Sequence, residues 1–335
     1  MLKLFQSIFS GGRQQGRYPE SLIEAAIERA VDGTDPRLRA LSGYRRRLRA
    51  PVIRAIDHVI AMVDSLPEPL AADSAAYGND ARLATLFASP KRMLEVFGQD
   101  PELNEFRKTS PGQDSRITAL LLAERLEKKV MGMELSGDVL RRDVAQVAVS
   151  FRGHRLADPA ASEDETRRQL KRRGFDHLLS LALMRISDVQ GERADLGRQR
   201  DLLRRKCRDL DRGGWNFDVA GPGAVDHARL QADLEEVEAQ LAALGADRHA
   251  LDTHLELTAT VLADAEQQLW SEDINLCLDR MNIVSDTHSA SARSVSFQEL
   301  HNTRGNRAVM LLLSIAPDEL PQREDFFSAA QRYLG

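Results

Sequence analysis

Two stretches of the chain repeat apolar residues at intervals of three and four positions. This spacing is typical of a helix that buries one stripe against another helix. The upstream stretch contains Ala182, Ile186, Val189, Leu196, Leu203, Cys207 and Leu210. The downstream stretch contains Leu230, Leu234, Val237, Leu241, Leu244, Leu251, Leu255, Leu262 and Leu269. A glycine-rich segment separates the two, so the pattern predicts an antiparallel coiled-coil hairpin over residues 163–285 with a tip loop at 211–224.

The two stretches also predict a register for this hairpin. If Leu210 pairs with Leu230, then Leu203 lies opposite Val237 and Val189 lies opposite Leu251. The overlap of about 35 residues corresponds to a length on the order of 50 Å, at ~1.5 Å per residue. We expect the second helix to be longer than the first and to run on through Trp270–Leu278.

The N-terminal third of the chain has a helical period. Apolar positions between Leu22 and Ala30 form one face, and those between Leu38 and Val63 form another. Pro51 interrupts the second of these and is expected to kink or split that helix. Further helices are expected near 80–98, 101–107 and 114–128. The sequence thus predicts a helical domain over 17–128, preceded by an amphipathic or disordered tail at 1–16.

The period changes to two on either side of the predicted hairpin. Met131, Met133 and Leu135 alternate with small or polar residues, and so do Val147, Val149 and Phe151. The alternation returns at 294–298, and a continuous apolar run follows at 308–315. Because isolated two-stranded hairpins are marginally stable, we expect these strands to share one antiparallel sheet. The predicted body is 129–160 plus 290–335, with a closing helix at 325–334, and the fold class is mostly α.

Charge offers two interpretations of the basic runs. The chain has a formal net charge of −5, which argues against general nucleic-acid binding as its main task. The arginines in question are Arg45, Arg46, Arg47, Arg49, Arg172 and Arg173. They are predicted to form solvated helix faces paired with nearby acids, and the alternative is a site for phosphate, nucleic acid or an anionic lipid surface. Neither run is interleaved with the aromatic residues of single-stranded nucleic-acid sites.

Motifs for catalysis or cofactors are missing from the sequence. It contains no phosphate-binding G-x-x-x-x-G-K-[ST], no G-x-G-x-x-G and no G-x-S-x-G. His249 and His254 are five positions apart and diverge around a helix, unlike a zinc-binding pair. We therefore predict neither a metal nor a cofactor, and an enzyme with an unrecognised site remains a third alternative. Cys207 and Cys277, the only cysteines, are predicted to stay reduced in the cytoplasm.

The predicted tip loop carries Trp215 and Phe217, and the chain has only two tryptophans. A loop at the end of two helices has little core in which to bury large rings, and tryptophan is common in binding hot spots. One interpretation is that both rings contact a protein partner, and the other is that they plug the end of the seam. The leading functional hypothesis is a non-enzymatic interaction or scaffold protein whose hairpin contacts a partner. The N-terminal tail could add a peripheral membrane contact.

Overall fold

The structure is a computed structural model that describes residues 18–109, 116–136, 139–211, 227–243, 250–285 and 292–321. Its α-helices are α1 (Glu20–Gly33), α2 (Tyr44–Asp64), α3 (Ser74–Tyr77), α4 (Ala81–Leu86), α5 (Pro90–Gln99), α6 (Pro101–Thr109), α7 (Glu163–Asp211), α8 (His227–Ala243), α9 (Ala250–Ala263) and α10 (Ala265–Gln268). Its strands are β1 (Leu70–Ala72), β2 (Ile117–Ser136), β3 (Val139–Ala160), β4 (Leu269–Leu278), β5 (Arg293–Asn302) and β6 (Arg307–Ile315). A 3₁₀ helix spans Pro36–Ala40. The predicted tail at 1–16, nearly all of the tip loop and the closing helix at 325–334 lie outside the described residues.

The chain divides into two compact units. Among the described residues, the helical unit comprises 18–56 and 175–265, and the sheet unit comprises 57–174 and 266–321. The boundaries fall inside α2, inside α7 and inside the short α10. The helical unit therefore takes residues from both the predicted helical domain and the predicted hairpin.

In the helical unit, α1 buries the face that its period predicts. Leu22, Ala26 and Ala30 are all buried. The end of α1 lies close to α7, because a Cβ added to Gly33 would come within 2.9 Å of Leu179. Arg29 reinforces this contact through an ion pair with Asp176.

Helix α2 is continuous through Pro51, so of the two expected outcomes, a kink or a split, the split does not occur. Leu48, Val52 and Ala55 flank the proline on the buried face, and each has no exposed surface. A proline inside a helix costs ~3 kcal/mol. Burial on both sides of Pro51 compensates for that cost.

All six strands belong to one sheet with the order β3–β2–β6–β5–β4. Strand β2 pairs with β3 and β6, and β5 pairs with β4 and β6, all antiparallel. The short β1 pairs with the end of β6 in parallel. The expectation that strands before and after α7 share one sheet is therefore confirmed.

Two segments predicted as helix are strands instead. The expected helix at 114–128 is the first half of β2, where Ala119, Leu121 and Ala123 are buried between β3 and β6. A short apolar run buried on both faces fits either structure by period alone. The downstream helix also does not run on through Trp270–Leu278, because α10 ends at Gln268 and β4 begins at the next residue.

The core of the sheet unit lies between one face of the sheet and helices α4–α6. It includes Leu121, Phe297 and Leu311 from the strands, and Phe87 and Phe97 from the helical side. A short segment after β4 links the two outer strands of the sheet. Its Asn282 carbonyl accepts a 2.8 Å hydrogen bond from the amide of Val149 in β3, and a bridge joins Leu278 of β4 to residue 284.

Candidate functional site

Helices α7 and α8 share a small apolar cluster. Leu203, Leu230 and Val237 are between 4% and 8% exposed. Four partly buried residues pack against them, namely Leu196, Cys207, Leu234 and Leu241. Every member comes from the predicted seams. Among the described residues the cluster takes no side chain from any other element, so we call it the α7–α8 seam.

Polar contacts beside the seam indicate the relative direction of the two stretches. Arg204 Nη2 lies 2.6 Å from Glu238 Oε1, and Gln190 Nε2 lies 3.1 Å from His254 Nε2. As the residue number rises from 190 to 204, the partner's number falls from 254 to 238. The two stretches therefore run in opposite directions, with nearly the offset predicted by pairing Leu203 with Val237.

A buried polar group lies below the seam in the helical unit. His254 of α9 is 3% exposed, and its Nδ1 lies 2.8 Å from Asp35 Oδ2. Asp35 also accepts hydrogen bonds from the backbone and the guanidinium of Arg37. These bonds, led by the guanidinium, hold the pKa of Asp35 well below its usual value although partial burial opposes ionisation. Gln190 Nε2 lies 3.1 Å from His254 Nε2, so both ring nitrogens of His254 have a polar neighbour in the helical unit.

The arginines proposed as an anion site lie mostly beside carboxylates. Arg45 pairs with Glu28, Arg47 with Asp252 and Glu256, Arg49 with Glu20, and Arg173 with Glu102 and Asp158. Arg46 and Arg172 form no ion pair with any described residue. Carboxylates therefore contact four of the six guanidinium groups proposed as an anion site. Trp215 and Phe217 lie outside the described residues, and their contact with a partner stays a prediction.

One charged cluster escaped the sequence analysis. Arg125 of β2 donates to Glu299 of β5 through Nε and Nη2, at 2.9 and 3.0 Å, and also contacts Glu127. Glu299 is 1% exposed. Burial alone would raise the pKa of Glu299, but the hydrogen bonds and charge of Arg125 outweigh it, so the pKa is lowered.

This cluster continues along the same face of the sheet to His301 and Trp270. His301 Nε2 lies 3.2 Å from Glu299 Oε2, and its ring stacks on Trp270 at a centroid distance of 5.5 Å. A signal was present in the sequence. Glu299 follows Val295 and Phe297 at the period of two, and this alternation assigns the glutamate to the core face.

Neither a metal site nor a similarity to known proteins assigns a function to the described residues. No group of His, Cys, Asp and Glu side chains among the described residues could hold a metal ion. Both cysteines are free. Within the same residues, no helix is long and apolar enough to cross a membrane. Comparison with known protein families, with curated proteins and with solved structures finds no match.

Proposed function

We propose that this chain is a non-enzymatic interaction protein of the cytoplasm, and that α7 and α8 form an antiparallel coiled-coil hairpin that contacts a protein partner. The observation that carries the proposal is the α7–α8 seam. Among the described residues its apolar side chains pack only against one another, whereas the first half of α7 buries Phe175, Leu178 and Ile186 in the core. A helix pair with a seam of its own is suited to contact another molecule through its remaining faces.

An exposed leucine beside the seam supports this function. Leu202 is 52% exposed, whereas its neighbour Leu203 is buried in the seam. A leucine that does not hold the two helices together is available to a partner. The basic-helix alternative receives less support, because carboxylates already neutralise Arg45, Arg47 and Arg49.

A crosslink tests the hairpin itself. Leu203 and Val237 are replaced by cysteine in a chain where Cys207→Ser and Cys277→Ser remove the native thiols. An intramolecular hairpin gives a disulfide within single chains at low protein concentration. A disulfide found only between chains would contradict the hairpin and indicate a dimer or an exchange of helices.

Co-purification from the native cell tests the contact. Leu202→Gln and the double variant Trp215→Ala with Phe217→Ala are each compared with the unaltered chain for melting temperature and recovery of a partner. A contact surface predicts lower recovery with little change in melting temperature. If the rings instead plug the seam, the double variant lowers the free energy of unfolding by ~3 to 5 kcal/mol, as for other buried large side chains. Recovery of the partner then decreases only in proportion to the fraction of folded protein.

A further inference from the structure

The sheet unit contains a groove that none of the preceding functions uses. Its volume is about 980 Å³, and it lies between the end of α4, helix α5, strand β3 and the turn after β4. A smaller depression of about 420 Å³ adjoins it and shares Arg92, Val96, Gly153 and His154. Sites for small molecules occupy ~300 to 1,000 Å³, so the groove has the size of a ligand site.

The described lining of this groove is positively charged. Four of the described lining residues are arginines, Arg92, Arg152, Arg280 and Arg293, and none is a carboxylate. The chain as a whole carries a net charge of −5. A concave surface lined by one sign of charge concentrates the field and attracts ions of the opposite sign. The groove is therefore suited to an anion.

Two of these arginines have no carboxylate partner among the described residues. Arg152 pairs with Glu124 at 2.9 Å, and Arg92 with Glu95 at 3.3 Å. Arg280 is exposed and makes no ion pair with any described residue, while Nη2 of Arg293 lies 3.5 Å from a backbone carbonyl oxygen. Arg293 Nε is also buried without a hydrogen-bond partner. A buried donor left unpaired costs ~1 to 3 kcal/mol, which an anion at this wall would recover.

The same wall presents an unpaired acceptor. Asn282 Nδ2 donates to the carbonyl of Thr85 at 3.0 Å, but its Oδ1 is buried without a partner. Asn282 has a φ of 58°, a left-handed conformation that asparagine tolerates better than most residues. Its carbonyl is tied to Val149, so the side chain is held in place. A hydroxyl or amine on a ligand would satisfy Oδ1.

A β-bulge places His154 in the groove. Glu124 pairs with Arg152 and Leu122 with Arg155, so β3 has one residue more than β2 between these pairs. Gly153 occupies the bulge with a φ of 62°, where a side chain would be strained. The ring of His154 lies 4.8 Å from that of Phe87, and its Nε2 lies 3.0 Å from the carbonyl oxygen of Leu86.

The carbonyl contact decides which nitrogen of His154 carries the proton. A carbonyl oxygen only accepts hydrogen bonds, so Nε2 donates, and Nδ1 is the acceptor of the neutral ring. Burial and, to a lesser extent, the charge of Arg92 lower the pKa of His154. The neutral ring is therefore the dominant form at neutral pH, and it offers a second acceptor to a ligand.

We propose that this groove binds a small phosphate ester whose organic body carries hydroxyl or amine groups. Arg280 and Arg293 hold the phosphate, because both guanidinium groups lack a carboxylate and present donors in the planar arrangement that phosphate accepts. The body packs on Phe87 and Phe151, and its donors reach Asn282 Oδ1 and His154 Nδ1. This site shares no residue with the α7–α8 seam and does not depend on the partner proposed above.

Calorimetric titration of the whole chain tests the proposal. The probes are adenosine monophosphate, glucose 6-phosphate and phosphoethanolamine, compared with adenosine and inorganic phosphate. We expect at least one ester to bind more tightly than adenosine or inorganic phosphate alone. Arg280→Gln weakens that binding by about 10- to 100-fold, as expected for lost charge-assisted hydrogen bonds worth ~1.5 to 3 kcal/mol. The matched control is Arg54→Gln, which removes the same charge from an exposed arginine that forms no ion pair with any described residue and leaves the affinity unchanged.

Several outcomes would overturn the proposal. One is that none of the three esters binds at millimolar concentration while the melting temperature shows a folded protein. Another is that Arg280→Gln and Arg54→Gln weaken binding equally, which indicates general charge attraction. A third is that inorganic phosphate binds as tightly as every ester, because the organic body then adds nothing. A short single-stranded oligonucleotide that binds more tightly than adenosine monophosphate would exclude a small molecule as the ligand.

Discussion

Three arginines of helix α2 and two of the arginines that line the groove carry the same charge but have different neighbours. On α2, Arg45, Arg47 and Arg49 all contact carboxylates. In the groove, Arg280 and Arg293 form no ion pair with any described residue. The helix arginines form a conspicuous run in the sequence, whereas the groove arginines come from distant segments and belong to no run.

This difference concerns whether the fold places a carboxylate beside a guanidinium group, because a carboxylate competes with an anionic ligand for the same donors. Two of the carboxylates that neutralise α2 come from residues 252 and 256, which are about 200 positions away in the chain. No local pattern records this pairing. Arg125 is a third case, because its carboxylate partner is fully buried. An exposed ion pair, an arginine without a carboxylate and a buried ion pair predict three different changes in stability when the arginine is replaced.

The largest effect is expected from Arg125→Met. The substitution leaves Glu299 buried without its partner, and breaking a buried pair in this way costs ~3 to 5 kcal/mol. Urea denaturation measures the loss. Adding Glu299→Leu removes the uncompensated charge, so the double variant regains most of the stability. If Arg125→Met lowered the free energy of unfolding by less than ~1 kcal/mol, water or another group would have to replace Arg125 as the partner of Glu299.

An intermediate effect is expected from Asp35→Asn, which weakens the bonds from Arg37 and His254. Loss of well-paired buried groups costs ~1 to 3 kcal/mol at neutral pH. The pKa of Asp35 is lowered on folding, so its contribution is complete above the usual value of 3.8 and is lost as the pH falls below it. The stability difference between the unaltered chain and the variant therefore shrinks in acid. Thermal denaturation from neutral to acidic pH measures this difference, and a gap that widens in acid would contradict the assignment.

The smallest effect is expected from Arg47→Gln. Its ion pairs with Asp252 and Glu256 are solvent-exposed, so the loss stays below ~1 kcal/mol and decreases further with added salt. Arg280→Gln serves as the control, because it breaks no ion pair and should leave the urea midpoint unchanged at any salt concentration. If Arg280→Gln were as destabilising as Arg47→Gln, the distinction between the helix and the groove would fail.

Local periodicity predicted much of the fold correctly. The face of α1, the strands around 131–151 and 293–315, and the residues of the α7–α8 seam follow from the spacing of apolar residues alone. The errors fall where spacing is ambiguous. Residues 117–123 are apolar on both faces, and Leu269–Leu278 continue the seam spacing into a segment where pairing with β5 imposes an extended backbone.

The sequence by itself determined which residues are apolar, at what period they repeat and where charge accumulates, because these properties depend only on neighbours along the chain. Tertiary structure alone decided which arginines meet carboxylates, which glutamate is buried beside Arg125, and which asparagine, histidine and arginines line one groove. These properties depend on distances between residues that are far apart in sequence. The physical reason is that burial and charge pairing are set by the whole fold, whereas hydrophobic spacing is set one turn or one strand at a time.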